Sequence, residues 1–262
     1  MATDITLLDL RLRRRIIIGY TLAIVGYAAI VVGLYPSFKN DAGLNQLSEN
    51  GSTVAAALGA SGTLTSPAGW LGVNLYANFV PLIVLLATIG YGASAIAGQN
   101  EDGTLGLDAA MPLNRPAITA GKLIALIVQT LPVPIATALC VVAGRGVDLR
   151  IDGGPLVGTT AGVTLLGLLF GSLALLIGAA SGSRGMALGI TSAAAAITYL
   201  ISSLAPSVHW LHPARYLSPF FYAVGDNQLE HGLPLAWAGV LAGTTVVFAL
   251  AAVVAFKRLD VH

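Results

Sequence analysis

Six apolar stretches, each about as long as a bilayer is thick, leave this chain very few ways to fold. They lie at about 16–34, 73–97, 119–143, 155–180, 185–204 and 234–256. A helix rising 1.5 Å per residue needs roughly 20 mostly apolar residues to cross a hydrocarbon core of about 30 Å. Water is absent there, so each stretch has to satisfy its own backbone hydrogen bonds by coiling into a helix. Composition agrees: 56% of the 262 residues are hydrophobic and 10% are charged, where a soluble domain carries about 25% charged residues. The expected fold is an all-α polytopic membrane protein, one transmembrane domain over 1–262 with six spans and outer loops at 35–72 and 205–233.

The cations orient it. With the N-terminus inside, the cytoplasmic set is Arg11, Arg13, Arg14, Arg15, Arg115, Lys122, Arg184, Lys257 and Arg258. The outer set is Lys39, Arg145, Arg150 and Arg215. Cytoplasmic loops carry the excess of Lys and Arg, so both termini are expected in the cytoplasm and the chain in the inner or plasma membrane. The first apolar run is too long for a signal-peptide core and lacks a small-residue cleavage site, so it reads as a first span. Ahead of it Ile5, Leu8 and Leu12 recur at helical spacing with Asp9 and Arg13 on another face. This points to an N-terminal interfacial helix whose arginines sit among lipid headgroups. The first outer loop is rich in Gly and Ser, with a short helix near 46–58. The second is aromatic and proline-broken (Trp210, Pro213, Tyr216, Pro219, Phe220, Phe221, Tyr222) and suits the headgroup level.

Several function classes are excluded. A formal net charge of +1 with no basic stripe argues against a nucleic-acid partner. The single cysteine, Cys140, lies in an apolar run and reads as a packed thiol. No span carries an ionisable residue near its centre, which argues against a proton- or sodium-driven carrier. Carriers that bind sodium through backbone carbonyls stay open. A phosphate-binding loop needs Gly-x-x-x-x-Gly-Lys-Ser/Thr. Here Gly121-Lys122 is followed by Leu123 and preceded at the required position by Pro116. Ser94 and Ser172 have no base at membrane depth to activate them. His209 and His212 lack a third ligand nearby, so no metal site is expected.

Small and polar residues mark seams and a path. Gly19, Gly26 and Gly33 repeat on one face of the first span, and Gly167 and Gly171 are four apart in the fourth. In lipid such positions allow close helix approach, either within the chain or between two copies. Thr191, Thr198 and Ser202 with Ala195 form a stripe on the fifth span. Asn74 and Asn78 sit one turn apart on the second, with a kink expected at Pro81. These are the candidates to line a mildly polar pathway, although hydroxyls returned to their own helix explain the stripe equally well.

Between the second and third spans lies a polar island, Glu101-Asp102-Gly103-Thr104-Leu105 through Met111-Pro112-Leu113-Asn114-Arg115 to Gly121-Lys122. Asp102 or Thr104 can cap a short helix that Pro112 ends, and Asn114 can cap the third span with Pro116 in its first turn. A docking element and a solvated loop both fit these residues.

The same residues resemble the Glu-x-Gly-Thr-Leu … Leu-Pro-x-Ser-Arg … Gly-Lys pattern of ABC exporter permeases of the type-two class. The resemblance runs along the chain, through Tyr35-Pro36-Ser37-Phe38, Gly69-Trp70-Leu71, Leu217-Ser218-Pro219-Phe220-Phe221-Tyr222 and Phe256-Lys257-Arg258-Leu259-Asp260. It implies a six-span permease that pairs with a second permease chain and with separate ABC ATPase subunits, which hold the ATP and magnesium. This chain itself would carry no cofactor and no catalytic residue. It further implies that the island is a short cytoplasmic coupling helix, with Glu101, Asp102, Gly103, Thr104 and Leu105 making the ATPase contact and Arg115 stabilising the turn. The path would follow the dimer axis, lined by the second and fifth spans, and carry an amphipathic or apolar substrate. Gly106 and Asp108 depart from the family pattern, which runs apolar there.

Overall fold

The computed structural model describes residues 2–39, 65–103, 115–206 and 208–258. Among these the chain forms six helices long and apolar enough to cross a membrane: Thr6–Phe38, Pro67–Glu101, Arg115–Val147, Gly153–Ser181, Arg184–Leu204 and Leu235–Arg258. They match the six apolar stretches and overrun several of them, because the helical hydrogen-bond ladder continues past the point where composition turns polar. The possible helix at 46–58 and most of the polar island, 104–114, lie outside the described residues.

The N-terminal segment differs from expectation. It is not a separate interfacial helix: Ala2–Phe38 is one unbroken helix of 37 residues, roughly 55 Å long at 1.5 Å per residue. No glycine or proline interrupts the junction at 11–16, so nothing in the sequence breaks the ladder there. Leu8 and Leu12 are exposed on the outside of the bundle while Asp9 is buried inside it.

The fourth span is the hub, packed against the second, third, fifth and sixth. Glycines make this possible. A Cβ on Gly92 would stand 2.2 Å from the Gly171 carbonyl oxygen, and one on Gly167 would stand 2.4 Å from a Val84 methyl. Gly171 faces Leu126 of the third span, and a Cβ on Gly162 would meet the Ala223 carbonyl at 2.3 Å. Gly167 and Gly171 therefore form a seam inside the chain. Gly19, Gly26 and Gly33 do not: a Cβ on any of them would meet nothing within 4 Å. Their face points away from the chain's own bundle.

Breaks in the long helices have identifiable causes. The second span carries a π-helical turn at Gly72–Tyr76. It breaks at Asn78 (φ −127°, ψ −71°), before the straight helix Phe79–Ala93. The irregularity thus falls one turn ahead of Pro81, where the proline ring has no N–H to continue the ladder. Pro132 and Pro134 divide the third span into Arg115–Thr130 and Pro132–Ala143. Gly182 ends the fourth span at φ +67°, its N–H bonding Gly178 O at 2.9 Å, and Ser183 caps the fifth through Met186 N.

Between the fifth and sixth spans the chain forms three short pieces, His209–Leu217, Pro219–Val224 and Gln228–His231. The middle one dips into the bundle, burying Phe220, Phe221 and Ala223. At this same end Lys39 and Asp148 pair at 2.9 Å across the surface. That pairing holds the Asp148 carboxyl below its ordinary value, chiefly through the hydrogen bond from Lys39. The link is therefore present at neutral pH and is lost as pH falls through the depressed value.

The glycine contacts give a paired expectation. Gly92→Ala forces a methyl onto the Gly171 carbonyl and should destabilise the chain by about 1–3 kcal/mol. Gly26→Ala meets open space and should be neutral or gain up to about 1 kcal/mol of helix propensity. Thermal unfolding of both variants in detergent checks the contrast.

Candidate functional site

The described edges of the polar island are each tied to a distant span. Glu101 ends the second span, and its Oε1 accepts the Arg184 backbone N–H at 2.8 Å. A carboxylate at the first free amide of the fifth span complements that helix's positive end. Asp102 and Gly103 then form a turn, Gly103 at φ +68°, in the left-handed region that costs glycine least. On the far edge Arg115 opens the third span, with Pro116 in its first turn as the sequence indicates. Its Nη1 donates to the carbonyls of Phe256 and Lys257, each at 3.1 Å, and its guanidinium lies 5.7 Å from the Phe256 ring centroid. The carbonyls left free at the end of the sixth span are thereby satisfied by a cation. Thr104 and Leu105 lie outside the described residues.

Two turns deeper along the third span stands a cluster that the sequence did not reveal. Lys122, read as one of the positive-inside cations, is 1% exposed and its Nζ meets Asp9 Oδ1 at 3.0 Å. The Tyr91 hydroxyl lies 2.8 Å from Asp9 Oδ2 and 3.0 Å from the Lys122 carbonyl oxygen. Arg13 covers the Tyr91 ring at 5.0 Å, and Thr6 donates to Gly121 O at 2.9 Å. The first, second and third spans are thus joined by a buried ion pair and its hydrogen bonds. Charges this deep persist only when paired. The available signal was a cation two turns inside the third span, opposite an Asp on the polar face of the N-terminal helix.

A second region lies between the second and fifth spans. An apolar cleft of about 450 Å³ opens there, lined by Asn78, Phe79, Leu82, Leu86, Ala195 and Tyr199 among others. Asn78 and Ser202 also line an adjoining cleft of about 270 Å³. Of the pathway candidates, Asn78, Ala195 and Ser202 therefore face open volume, and Tyr199 donates its hydroxyl to Asn78 Oδ1. The other three line neither cleft. Asn74 bonds back to Trp70 O at 2.9 Å, and Thr198 to Ala194 O at 2.8 Å. Thr191 is fully buried against the bundle, its hydroxyl without a hydrogen-bond partner. The hydroxyl stripe was legible, but the fifth span is rotated so that Thr191 packs inward.

Among the described residues no group of three potential metal ligands comes together. His212 Nε2 instead lies 3.2 Å from Arg215 Nη1.

The ion pair makes a measurable statement. Lys122→Met or Asp9→Asn alone strands a buried charge and should cost about 3–5 kcal/mol, while the double variant should recover most of it. A double-mutant cycle of unfolding in detergent reads the coupling.

No curated protein matches this chain at a significant level. A family model described as ABC-2 family transporter protein matches residues 8–261, a range that takes in all six spans, both edges of the island, the Asp9–Lys122 pair and the two clefts. The helical bundle, its multi-pass architecture and that match together make the chain a member of the ABC-2 family of membrane transport proteins.

Proposed function

We propose that this chain is the membrane-spanning permease subunit of an ATP-driven ABC exporter. Two permease chains, identical or sister, pair with separate ATPase subunits that bind ATP and magnesium. An amphipathic or apolar substrate travels a path lined by the second and fifth spans. Permeases of this family generally work with an ATPase subunit, and no phosphate-binding loop stands in this sequence to supply the energy internally.

The observation that carries the reading is how the island is anchored. Its leading edge holds the start of the fifth span through Glu101, and its trailing edge holds the end of the sixth through Arg115. The Asp9–Lys122–Tyr91 cluster then ties the first, second and third spans two turns into the third. A push on residues 102–114 from an ATPase closing beneath them has polar, directional connections to five spans. Hydrogen bonds and ion pairs of this kind switch between discrete arrangements, as coupling requires. With both termini cytoplasmic, as the arginine distribution favours, the island faces the compartment where ATP is found.

The face at Gly19, Gly26 and Gly33 is open. The fifth span is only 17% buried and exposes Met186, Ile190, Ile197 and Leu200. Both surfaces are free to meet a second copy, and packing of small residues between helices favours such association in lipid.

Co-expression with an ABC ATPase encoded beside this chain tests the reading. A stoichiometric complex is expected, with vanadate-sensitive, ATP-dependent transport that falls at least tenfold when Glu101→Ala and Thr104→Ala are combined. If no ATPase co-purifies and that double variant transports normally, the exporter reading fails. Gradient-driven transport insensitive to vanadate would make the chain a secondary carrier instead.

A further inference from the structure

The apolar cleft between the second and fifth spans continues into the smaller one. Asn78, Tyr199 and Phe220 belong to both. The chemistry changes across that junction. Leucines and alanines line the long part, whereas the smaller cleft adds Ser202, Ser203 and Arg215 at the end of the bundle away from the termini.

Arg215 is held ready. Its guanidinium lies 4.8 Å from the Tyr216 ring centroid and 5.0 Å from that of Phe221. Nη2 donates to the Tyr216 hydroxyl at 2.7 Å and Nη1 lies 3.2 Å from His212 Nε2, while Nε is shut off from solvent and makes no hydrogen bond. Among the described residues no carboxylate comes within ion-pair distance of it. Asp226 lines the same cleft but is exposed and makes no ion pair. A planar guanidinium stacked on aromatic rings and lacking a carboxylate partner suits a phosphate or carboxylate brought by a ligand.

We propose that the two clefts form one site for an anionic amphiphile. Arg215 takes the phosphate or carboxylate head of a lipid-like molecule, and the groove between the second and fifth spans takes its apolar tail. Along the second span the groove is lined from Asn78 to Gly90. That is roughly 18 Å of helix, close to the ~15 Å depth of one leaflet. A volume of about 450 Å³ falls within the range of small-molecule sites. The inference rests on the permease reading and names the class of molecule its path accepts. Binding to the permease alone tests it, so its failure is distinct from a failure of ATPase coupling.

The full chain in zwitterionic nanodiscs is titrated with a fluorescent dodecyl phosphate analogue, which is then displaced by unlabelled competitors. Dodecyl phosphate should compete at least tenfold better than dodecyl maltoside or dodecyltrimethylammonium. Inorganic phosphate at equal concentration should not compete, because it lacks the tail. Arg215→Gln should reduce the preference for the phosphate head to within twofold. Ser202→Asp, which sets a carboxylate in the same cleft, should do so too with Arg215 intact. Leu86→Trp, which narrows the groove, should weaken all three amphiphiles. The proposal is overturned if the native chain shows no preference for the phosphate head, or if both head-group variants retain it. It is equally overturned if inorganic phosphate competes as well as dodecyl phosphate, which would make this a plain anion site.

Discussion

The contact on which the bundle depends is backbone against backbone. Gly92 of the second span and Gly171 of the fourth approach so closely that a single methyl cannot be inserted. In water, burial of large side chains drives such packing. In lipid the tails are as apolar as leucine, so association relies on dispersion contacts and close approach. The fourth span takes this furthest, with Gly162, Gly167, Gly171 and Gly178 each turned toward a neighbour. That makes it the axis around which the second, third, fifth and sixth spans sit, and it leaves the first on the outside.

Polar chemistry is concentrated at the two ends of this apolar framework. At the end holding the termini, four side chains reach across between spans: Glu101 to the fifth, Arg115 to the sixth, Asp9 to the third, Tyr91 to the first. At the opposite end, Arg215 keeps its guanidinium on aromatic rings beside an open cleft. The first end is closed by internal partners, whereas among the described residues Arg215 at the other has no carboxylate within ion-pair distance.

How much of this was legible in the sequence depended on the range of the interaction. The six spans were, because hydrophobic length is a local property. Gly167 and Gly171 as a seam were legible from spacing. The outward face of Gly19, Gly26 and Gly33 was not, since the same spacing serves a seam inside a chain or between two chains. Asp9 and Lys122 are 113 residues apart, and each has an adequate local role as a headgroup-level charge. Nothing local distinguishes that role from burial. The inward packing of Thr191 was not legible for a similar reason: a stripe fixes which residues share a face, not which way the face turns.

By itself, then, the sequence determined that this chain crosses a membrane six times and where it must break, because lipid forbids unpaired backbone and helix length follows from bilayer thickness. It also determined the polar island, since charged residues cannot enter the hydrocarbon without cost. Tertiary structure alone decided that the N-terminal helix runs unbroken into the first span, that Lys122 is buried on Asp9, and that Asn78, Ala195 and Ser202 face an open cleft while Thr191 does not. These depend on how each helix is rotated and how deep it sits. Rotation and depth are set by the sum of many weak contacts with neighbouring helices, which no single segment of sequence contains.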